Sequence, residues 1–137
     1  MTMNNDQPIC KIDGYGNKRW YLNGEQHRVG GPAIECANGT KYWYINGRRH
    51  REDGPAIEDT DGYKAWYLNG KRHREDGPAV EGADGTKYWY LNGKYHREDG
   101  PAVEWTNGYK AWYVDGEEIE VVDNDTFLRM INLKAFW

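Results

Sequence analysis

The chain has 137 residues and a formal net charge of −4, which argues against a nucleic-acid-binding protein because such proteins carry a basic excess. Seven Trp and 11 Tyr raise the aromatic fraction to 15%, and disordered chains avoid aromatic residues, so we expect the chain to fold. No apolar run approaches the ~20 residues of a membrane-spanning helix, and two cysteines are too few for a disulfide scaffold, so we expect a soluble cytoplasmic protein, in the host cytoplasm if it is viral.

Residues 1–8 form a polar tail that lacks the charged-then-apolar order of a signal peptide. From residue 9 onward a 23-residue repeat organises the sequence. Tryptophan recurs with this step at Trp20, Trp43, Trp66, Trp89 and Trp112. The predicted array spans residues 9–118, with a half-repeat at 9–19, full repeats at 20–42, 43–65, 66–88 and 89–111, and a partial repeat at 112–118.

Each repeat carries the signals of two β-strands and two turns. Residues 41–45 are rich in aromatic and β-branched side chains and end at Asn46-Gly47, a dipeptide typical of hairpin turns. A shorter run at 55–58 ends near Asp61-Gly62. We therefore predict an all-β fold, an elongated antiparallel sheet of tandem hairpins. In it, tight Asp/Asn-Gly turns alternate with longer connections from Asn-Gly to Gly-Pro.

Alternation along a strand assigns its side chains to the two faces of the sheet. Trp43 and Ile45 lie on one face, and Tyr42 and Tyr44 lie on the other. We expect the Trp face to be the more buried one, joined by one apolar residue from each second strand: Ile57, Val80 and Val103. On the Tyr face, Tyr and Ala alternate from repeat to repeat at positions 42, 65, 88 and 111. Two interpretations stay open, namely packing between neighbouring repeats and a selected binding surface.

The recurring His-Arg-Glu-Asp segment raises the question of catalysis or metal binding. Equivalent positions of neighbouring repeats lie about 10 Å apart, too far for two histidines to share one zinc ion. Four copies of one tetrapeptide also differ from the single asymmetric constellation of an active site. We therefore predict no catalytic residue, no metal and no cofactor. The segment is instead a predicted turn in which His and Arg pair with Glu and Asp, and in which the Asp caps the backbone. The residues of this structural turn motif are His27, His50, His73, His96, Asp53, Asp76 and Asp99.

The first repeat supports this interpretation, because Val29-Gly30 replaces Glu-Asp there while the neighbouring His, Arg and Gly-Pro are kept. Cys10 and Cys36 lie on second strands of successive repeats, with a first strand between them. Their backbones are then about 10 Å apart, whereas a disulfide needs Cα atoms within about 7 Å. We expect two free thiols.

The repeat fails where Ile119 stands in place of the expected His, and residues 119–137 form a predicted C-terminal cap. Residues 123–126 offer helix N-caps, and apolar residues follow at helical spacing, which predicts a helix over 125–134 before the final Ala135-Phe136-Trp137. Repeat arrays expose apolar ends that need covering. The alternative is a segment that docks on a partner or forms a homodimer.

The repeat resembles a known one. Asn-Gly-x-x-His at 46–50, 69–73 and 92–96, a Tyr two residues before each Asn, and the 23-residue step are similar to the variant MORN-like repeats of bacterial and viral proteins. The resemblance covers residues 9–118, although Arg51, Arg74 and Arg97 stand where the standard repeat has Gly. It implies an antiparallel sheet of hairpins and an association with protein scaffolding or membrane lipids. Some variant members are described as antitoxin components, and similar proteins occur in bacteriophages.

We therefore expect a non-enzymatic repeat protein that binds another protein through one face of the sheet. By the resemblance, a phage or bacterial origin makes it an inhibitor or neutraliser of a toxin or defence protein. An anionic membrane is a poor partner for a chain with a net charge of −4. The alternative is a lipid or small-molecule binder that uses the aromatic face. The predicted contact residues are Tyr44, Tyr67, Tyr90 and Tyr113, with Arg49 and Arg72 beside them.

Overall fold

The computed structural model describes residues 7–134, so residues 1–6 of the predicted tail and the terminal Ala135-Phe136-Trp137 lie outside the described residues. Within this range the chain is mostly β, in short antiparallel strands joined as hairpins, with one C-terminal helix. The all-β prediction is therefore confirmed. The elements are β1 (Ile9–Ile12), β2 (Lys18–Leu22), β3 (Glu25–Gln26), β4 (Ile34–Glu35), β5 (Lys41–Tyr42), β6 (Tyr44–Ile45), β7 (Arg48–Arg49), β8 (Ile57–Glu58), β9 (Lys64–Ala65), β10 (Tyr67–Leu68), β11 (Lys71–Arg72), β12 (Val80–Glu81), β13 (Lys87–Tyr88), β14 (Tyr90–Leu91), β15 (Lys94–Tyr95), β16 (Val103–Glu104), β17 (Lys110–Val114), β18 (Glu117–Ile119) and α1 (Asn124–Lys134).

The chain divides into two compact units, Met1–Lys71 and Arg72–Trp137. In the first unit the hydrogen-bonded strand order is β1-β2-β4-β5-β8-β9, with β3 paired to β2 and β6 paired to β7. In the second unit the order is β12-β13-β16-β17-β18, and β14 pairs with β15. Each unit therefore contains the same succession of hairpins.

The strand around Trp43 is more divided than we predicted. β5 and β6 lie on either side of this residue, and they pair with different neighbours, β5 with β4 and β8 but β6 with β7. The backbone of Trp43 joins the two ladders, because its N–H donates to the Ala56 carbonyl oxygen at 2.8 Å and its own carbonyl oxygen accepts from the His50 N–H at 3.2 Å. The long connection predicted between Asn-Gly and Gly-Pro thus contains a further hairpin strand, β7.

Two kinds of glycine turn join the strands. Asn46 and Gly47 have φ angles of 50° and 76°, and two successive left-handed residues make the type I′ turn that suits the twist of a hairpin. At the other turn only Gly62 is left-handed, with a φ of 101°, and its N–H donates to the Asp59 carbonyl oxygen at 3.2 Å. The Asn-Gly and Asp-Gly dipeptides therefore lie at turns, as predicted.

The register between strands corrects the predicted faces. Ile57 pairs with Tyr42 on one side and with Ala65 on the other, and directly paired residues point to the same face. Ile57 therefore lies on the Tyr42 face, and its predicted place on the Trp face is wrong. The residue of β8 that faces the Trp side is Glu58. Three further residues hold the position of Ile57, and all are buried: Ile34, Val80 and Val103.

Burial also differs from the prediction, because it is shared by both faces: Trp112 is buried on the Trp face, and Ile57 and Ala65 are buried on the Tyr face. Tyr67 is buried, while Trp43 and Trp66 are only half-buried. Ala65 is fully buried between its strand neighbours, and Ala111 is buried as well. The alternation of Tyr and Ala from repeat to repeat therefore accompanies close packing of the ladder, the first of the two interpretations left open above.

The C-terminal helix begins at Asn124, one residue before the predicted start. Asp123 caps it, since its Oδ1 accepts the Thr126 N–H at 2.8 Å, and this hydrogen bond lowers the pKa of the Asp123 carboxyl. Phe127 is fully buried, with its ring centroid 6.4 Å from that of Trp112. The indole Nε1 of Trp112 donates to Asn124 Oδ1 at 3.0 Å. The helix therefore packs against β17 of the second compact unit.

Both cysteines are free, as predicted. Cys10 lies on β1 and Cys36 directly follows β4. In the strand order, β2 lies between β1 and β4. The thiols therefore belong to strands that are not neighbours, which is the geometry the repeat step indicated.

Candidate functional site

The predicted tyrosine column is largely covered in the first compact unit. The guanidinium carbon of Arg49 lies 6.0 Å from the ring centroid of Tyr44 and 5.5 Å from that of Tyr67. Tyr67 is 7% exposed, and Tyr44 and Arg49 are half-buried. Arg49 thus lies between successive tyrosines in cation–π contact rather than beside the column.

In the second compact unit a tyrosine takes the position of that arginine. The ring centroid of Tyr95 lies 4.5 Å from that of Tyr90 and 4.9 Å from that of Tyr113. Burial and a hydrogen bond with Tyr90 raise the pKa of Tyr95 well above its usual value. Tyr90 is 9% exposed, and the guanidinium carbon of Arg72 lies 5.4 Å from its ring centroid. The column therefore offers little free surface, and a contact with a partner there stays a prediction.

The repeated histidines bind the turn of the following repeat. His50 Nδ1 accepts the Asn69 N–H at 3.0 Å. The Nδ1 atoms of His27, His73 and His96 likewise accept the backbone N–H of the residue 19 positions later, in the turn of the next repeat. Because Nδ1 is an acceptor, the neutral imidazole carries its proton on Nε2, which lies 3.5 Å from Glu52 in the His50 case. Each histidine thus links two repeats through the backbone.

The arginine after the histidine lies over a tryptophan ring, as seen for Arg28, Arg51 and Arg97. The guanidinium carbon of Arg51 is 3.9 Å from the ring centroid of Trp43. Its Nε donates to Asp53 at 2.9 Å, and its Nη1 donates to the Pro55 carbonyl oxygen at 3.1 Å and to Glu58 at 3.0 Å. We call the arginine, the tryptophan beneath it, and the Pro carbonyl and Glu acceptors the arginine clamp; the Asp is an additional, exposed partner. The hydrogen bond from Arg51 lowers the pKa of the Asp53 carboxyl, and this pairing of Arg with Asp within the turn is as predicted.

The clamp explains the glycine before each Pro. A Cβ on Gly54 would lie 2.9 Å from Cζ of Arg51, closer than real Cβ contacts, and Gly77 has the same distance to Arg74. A side chain at this position therefore displaces the guanidinium. The signal for the clamp was present in the sequence as the recurring Arg-x-x-Gly-Pro, but its spacing matches neither a strand nor a common turn.

Consecutive loops form the walls of an open cleft on the Trp face of the sheet, and the sequence did not predict this cleft. In the first compact unit a cleft of about 630 Å³ has Trp43 and Ile45 at its floor, between loop residues 28–32 and 50–53. In the second, a cleft of about 650 Å³ has Trp89 and Leu91 at its floor, between loop residues 74–77 and 96–99. Ligand sites commonly measure about 300–1,000 Å³, so either cleft has room for a side chain of a partner.

The two clefts differ in charge. The first is lined by two arginines and two carboxylates, because Val29 and Gly30 stand where the other loops have Glu and Asp. The second is lined by two arginines and four carboxylates, a net charge of −2 with histidine counted as neutral. These four carboxylates, whose side chains are 70% to 88% exposed, are Glu75, Asp76, Glu98 and Asp99.

Comparison with known proteins adds no relative: no protein-family model matches the chain, and no curated protein sequence matches it. Among residues 7–134, no three His, Cys, Asp or Glu side chains stand close enough together to hold a metal ion. In the same part of the chain, no helix has the length and apolar character needed to cross a bilayer. The MORN-like relationship stays a prediction that rests on the residues of the repeat.

Proposed function

We propose that this chain is a non-enzymatic repeat protein of the MORN-like kind and that it binds another protein through the clefts between its loops. The observation that carries this proposal is the recurrence of one construction in both compact units, a Trp and an aliphatic side chain at the floor with exposed polar groups at the rim. Repeats commonly generate such recurring surfaces for binding extended partners.

The clefts have the anatomy of a protein interface. An apolar floor surrounded by a polar rim is the usual arrangement, and Trp and Arg are enriched among the residues that dominate binding energy. By contrast, Tyr67 and Tyr90 are buried. In this proposal the tyrosine column packs the repeats together, and the loops carry the contact with the partner.

A finer form of the proposal is an inhibitor or neutraliser of a toxin or defence protein in a bacterium or bacteriophage. This form rests on the resemblance of the repeat alone, and resemblance of fold carries function poorly. The net charge of −4 disfavours the alternative of a binder of anionic lipids.

Selection from a random peptide library displayed on phage tests the proposal. We expect the immobilised chain to enrich peptides that bind it, as free peptides, with micromolar dissociation constants in calorimetry. Leu91→Thr removes apolar surface from the floor of the second cleft and should weaken peptides that use it about tenfold, or about 1.4 kcal/mol. Leu133→Thr makes the same change on an exposed face of α1 outside either cleft and should have no effect.

Two results would contradict the proposal. If no peptide is enriched above a parallel selection on an unrelated protein, the chain is not a peptide-binding module. If Leu91→Thr and the corresponding Ile45→Thr leave every selected peptide unaffected, the clefts are not the binding surface. Circular dichroism of each variant verifies that the sheet is intact.

A further inference from the structure

We propose that the cleft of the second compact unit binds a basic segment of the partner, with a Lys or Arg side chain seated against Leu91 and beside the part of Trp89 that Arg97 leaves uncovered. This inference rests on the proposed function and adds to it the chemical class of the partner. It is carried by the shape of the cleft, by its excess of carboxylates and by the contrast with the cleft of the first unit.

The floor of the cleft suits the stem of a long basic side chain. Lys and Arg bury their methylene groups on apolar surface while the charged end stays at a polar rim. Trp89 and Leu91 supply that surface, and loop residues 74–77 and 96–99 supply the rim. Because the guanidinium of Arg97 already lies 3.9 Å from the Trp89 ring centroid, recognition of the incoming charge falls to the carboxylates.

The carboxylates at the rim keep acceptor capacity after the internal contacts are made. Asp99 accepts from Nε of Arg97 at 2.8 Å, and Asp76 accepts from Nε of Arg74 at 3.1 Å. A carboxylate has about four acceptor positions on its two oxygens, so one such hydrogen bond leaves others free. Glu98 is 70% exposed and lies 3.5 Å from His96 Nε2. An incoming ammonium or guanidinium group therefore finds acceptors without displacing the arginine clamp.

The first cleft is a reference within the same chain. It has a similar volume, a Trp and an aliphatic residue at the floor, and the same clamp, but its charges balance because of Val29 and Gly30. The clamp does not need the missing acid, since Arg28 Nη1 still donates to the Pro32 carbonyl oxygen at 3.2 Å and to Glu35 at 3.3 Å. The fold therefore does not require Glu75 and Asp76, which hold the positions of Val29 and Gly30. Because these two carboxylates add negative charge, a basic segment should prefer the second cleft.

Calorimetry with a designed peptide tests this inference. The probe is an end-blocked peptide of alternating Arg and Ser, compared with the same peptide carrying norleucine or Glu in place of Arg. We expect the full chain to bind the Arg peptide at low ionic strength, with affinity falling as salt is added. Neither substituted peptide should bind comparably.

Paired variants locate the site. Glu75→Val with Asp76→Gly copies the loop of the first repeat into the second cleft and should weaken binding of the Arg peptide about tenfold or more. The matched control, Glu52→Val with Asp53→Gly, makes the same change of charge in the first cleft and should weaken binding of that peptide less than about twofold. Glu98→Gln, which keeps the side-chain shape, repeats the test should the double variant unfold, with an expected loss of about threefold.

Each contrary result has a distinct meaning. Equal binding of the norleucine peptide overturns the basic partner but leaves a peptide-binding function standing. Equal losses in the two double variants overturn the assignment to the second cleft. Failure of the Arg peptide to bind overturns the inference, while the peptide selection described above decides the proposed function separately.

Discussion

The arginine clamp predicts a large loss of stability when its guanidinium is removed and the length of the side chain is kept. In Arg51→Met the hydrogen bonds to the Pro55 carbonyl oxygen and to Glu58 are lost, together with the contact at 3.9 Å over Trp43. A hydrogen bond to a charged group contributes about 1.5–3 kcal/mol, and a cation–π contact about 0.5–2 kcal/mol. Because the Glu58 side chain is 35% exposed, solvent screens part of its contribution. We expect the free energy of unfolding to fall by about 2–4 kcal/mol.

The assay is urea denaturation followed by tryptophan fluorescence and circular dichroism, with Asp53→Asn as the matched control. Asp53 also binds Arg51, but its side chain is 87% exposed, so solvent screens this pair and Asp53→Asn should change stability far less. A double-mutant cycle with Glu58→Gln should give a coupling energy of about 1 kcal/mol. A loss below about 0.5 kcal/mol for Arg51→Met, or an equal loss for Asp53→Asn, would refute the clamp as a stabilising element.

Three other perturbations test separate contacts. His73→Ala leaves the Asn92 N–H without its Nδ1 acceptor; because this hydrogen bond is exposed, water can replace the acceptor, and the loss should be about 0.5–1.5 kcal/mol in the same denaturation assay. NMR should find the Nε2–H tautomer of His73 in the parent chain, and an Nδ1–H tautomer would contradict the hydrogen bond. Phe127→Ala leaves a cavity beside Trp112, so the free energy of unfolding should fall by about 3–5 kcal/mol and the helical circular-dichroism signal should be lost. An unchanged spectrum and stability would contradict the packing of α1. A hydrogen bond from the Asn17 side chain, with others from Tyr15 and Arg19, lowers the pKa of Asp13 to about 2. Because this folded-state pKa lies below the unfolded value of about 3.9, the contribution to stability is present above about pH 4 and is lost as the pH falls toward 2; an NMR titration midpoint near 4 would contradict it.

Turns were predictable because their chemistry is local. Asn46-Gly47 adopts two left-handed conformations in succession, and few residues other than Asn and Gly do so without strain. The place of Ile57 was not predictable in the same way. Alternation orders the side chains along one strand, but it does not say which residue of the next strand lies opposite, and a shift by one residue exchanges the faces.

The clefts escaped prediction for a similar reason. A loop forms the wall of a cleft only when a contact fixes it over the sheet. Here the contact is between Arg51 of the loop and Trp43 of the strand, which lie on different segments of the repeat. The sequence also did not show how much of each ring in the tyrosine column is exposed. Tyr44 and Tyr67 looked like free contact area until the structure placed the side chain of Arg49 against both. The signal was the succession of Arg and Tyr at positions 49, 72 and 95, which are flat side chains suited to stacking between rings.

In each loop, the residues that hold the fold are distinct from the exposed residues at the rim of a cleft. Arg28 keeps its hydrogen bonds to the Pro32 carbonyl oxygen and Glu35 although Val29 and Gly30 replace the acidic pair. The arginine, the glycine that gives it room and the tryptophan beneath it are therefore the invariant requirement, and the two rim positions are free of it. A repeat built in this way changes the charge of a cleft by substitution at exposed positions, where the cost in stability is commonly within about 0.5 kcal/mol. Under the proposed function, specificity for a partner would then reside in the rims, one repeat at a time, while the clamps stabilise the sheet.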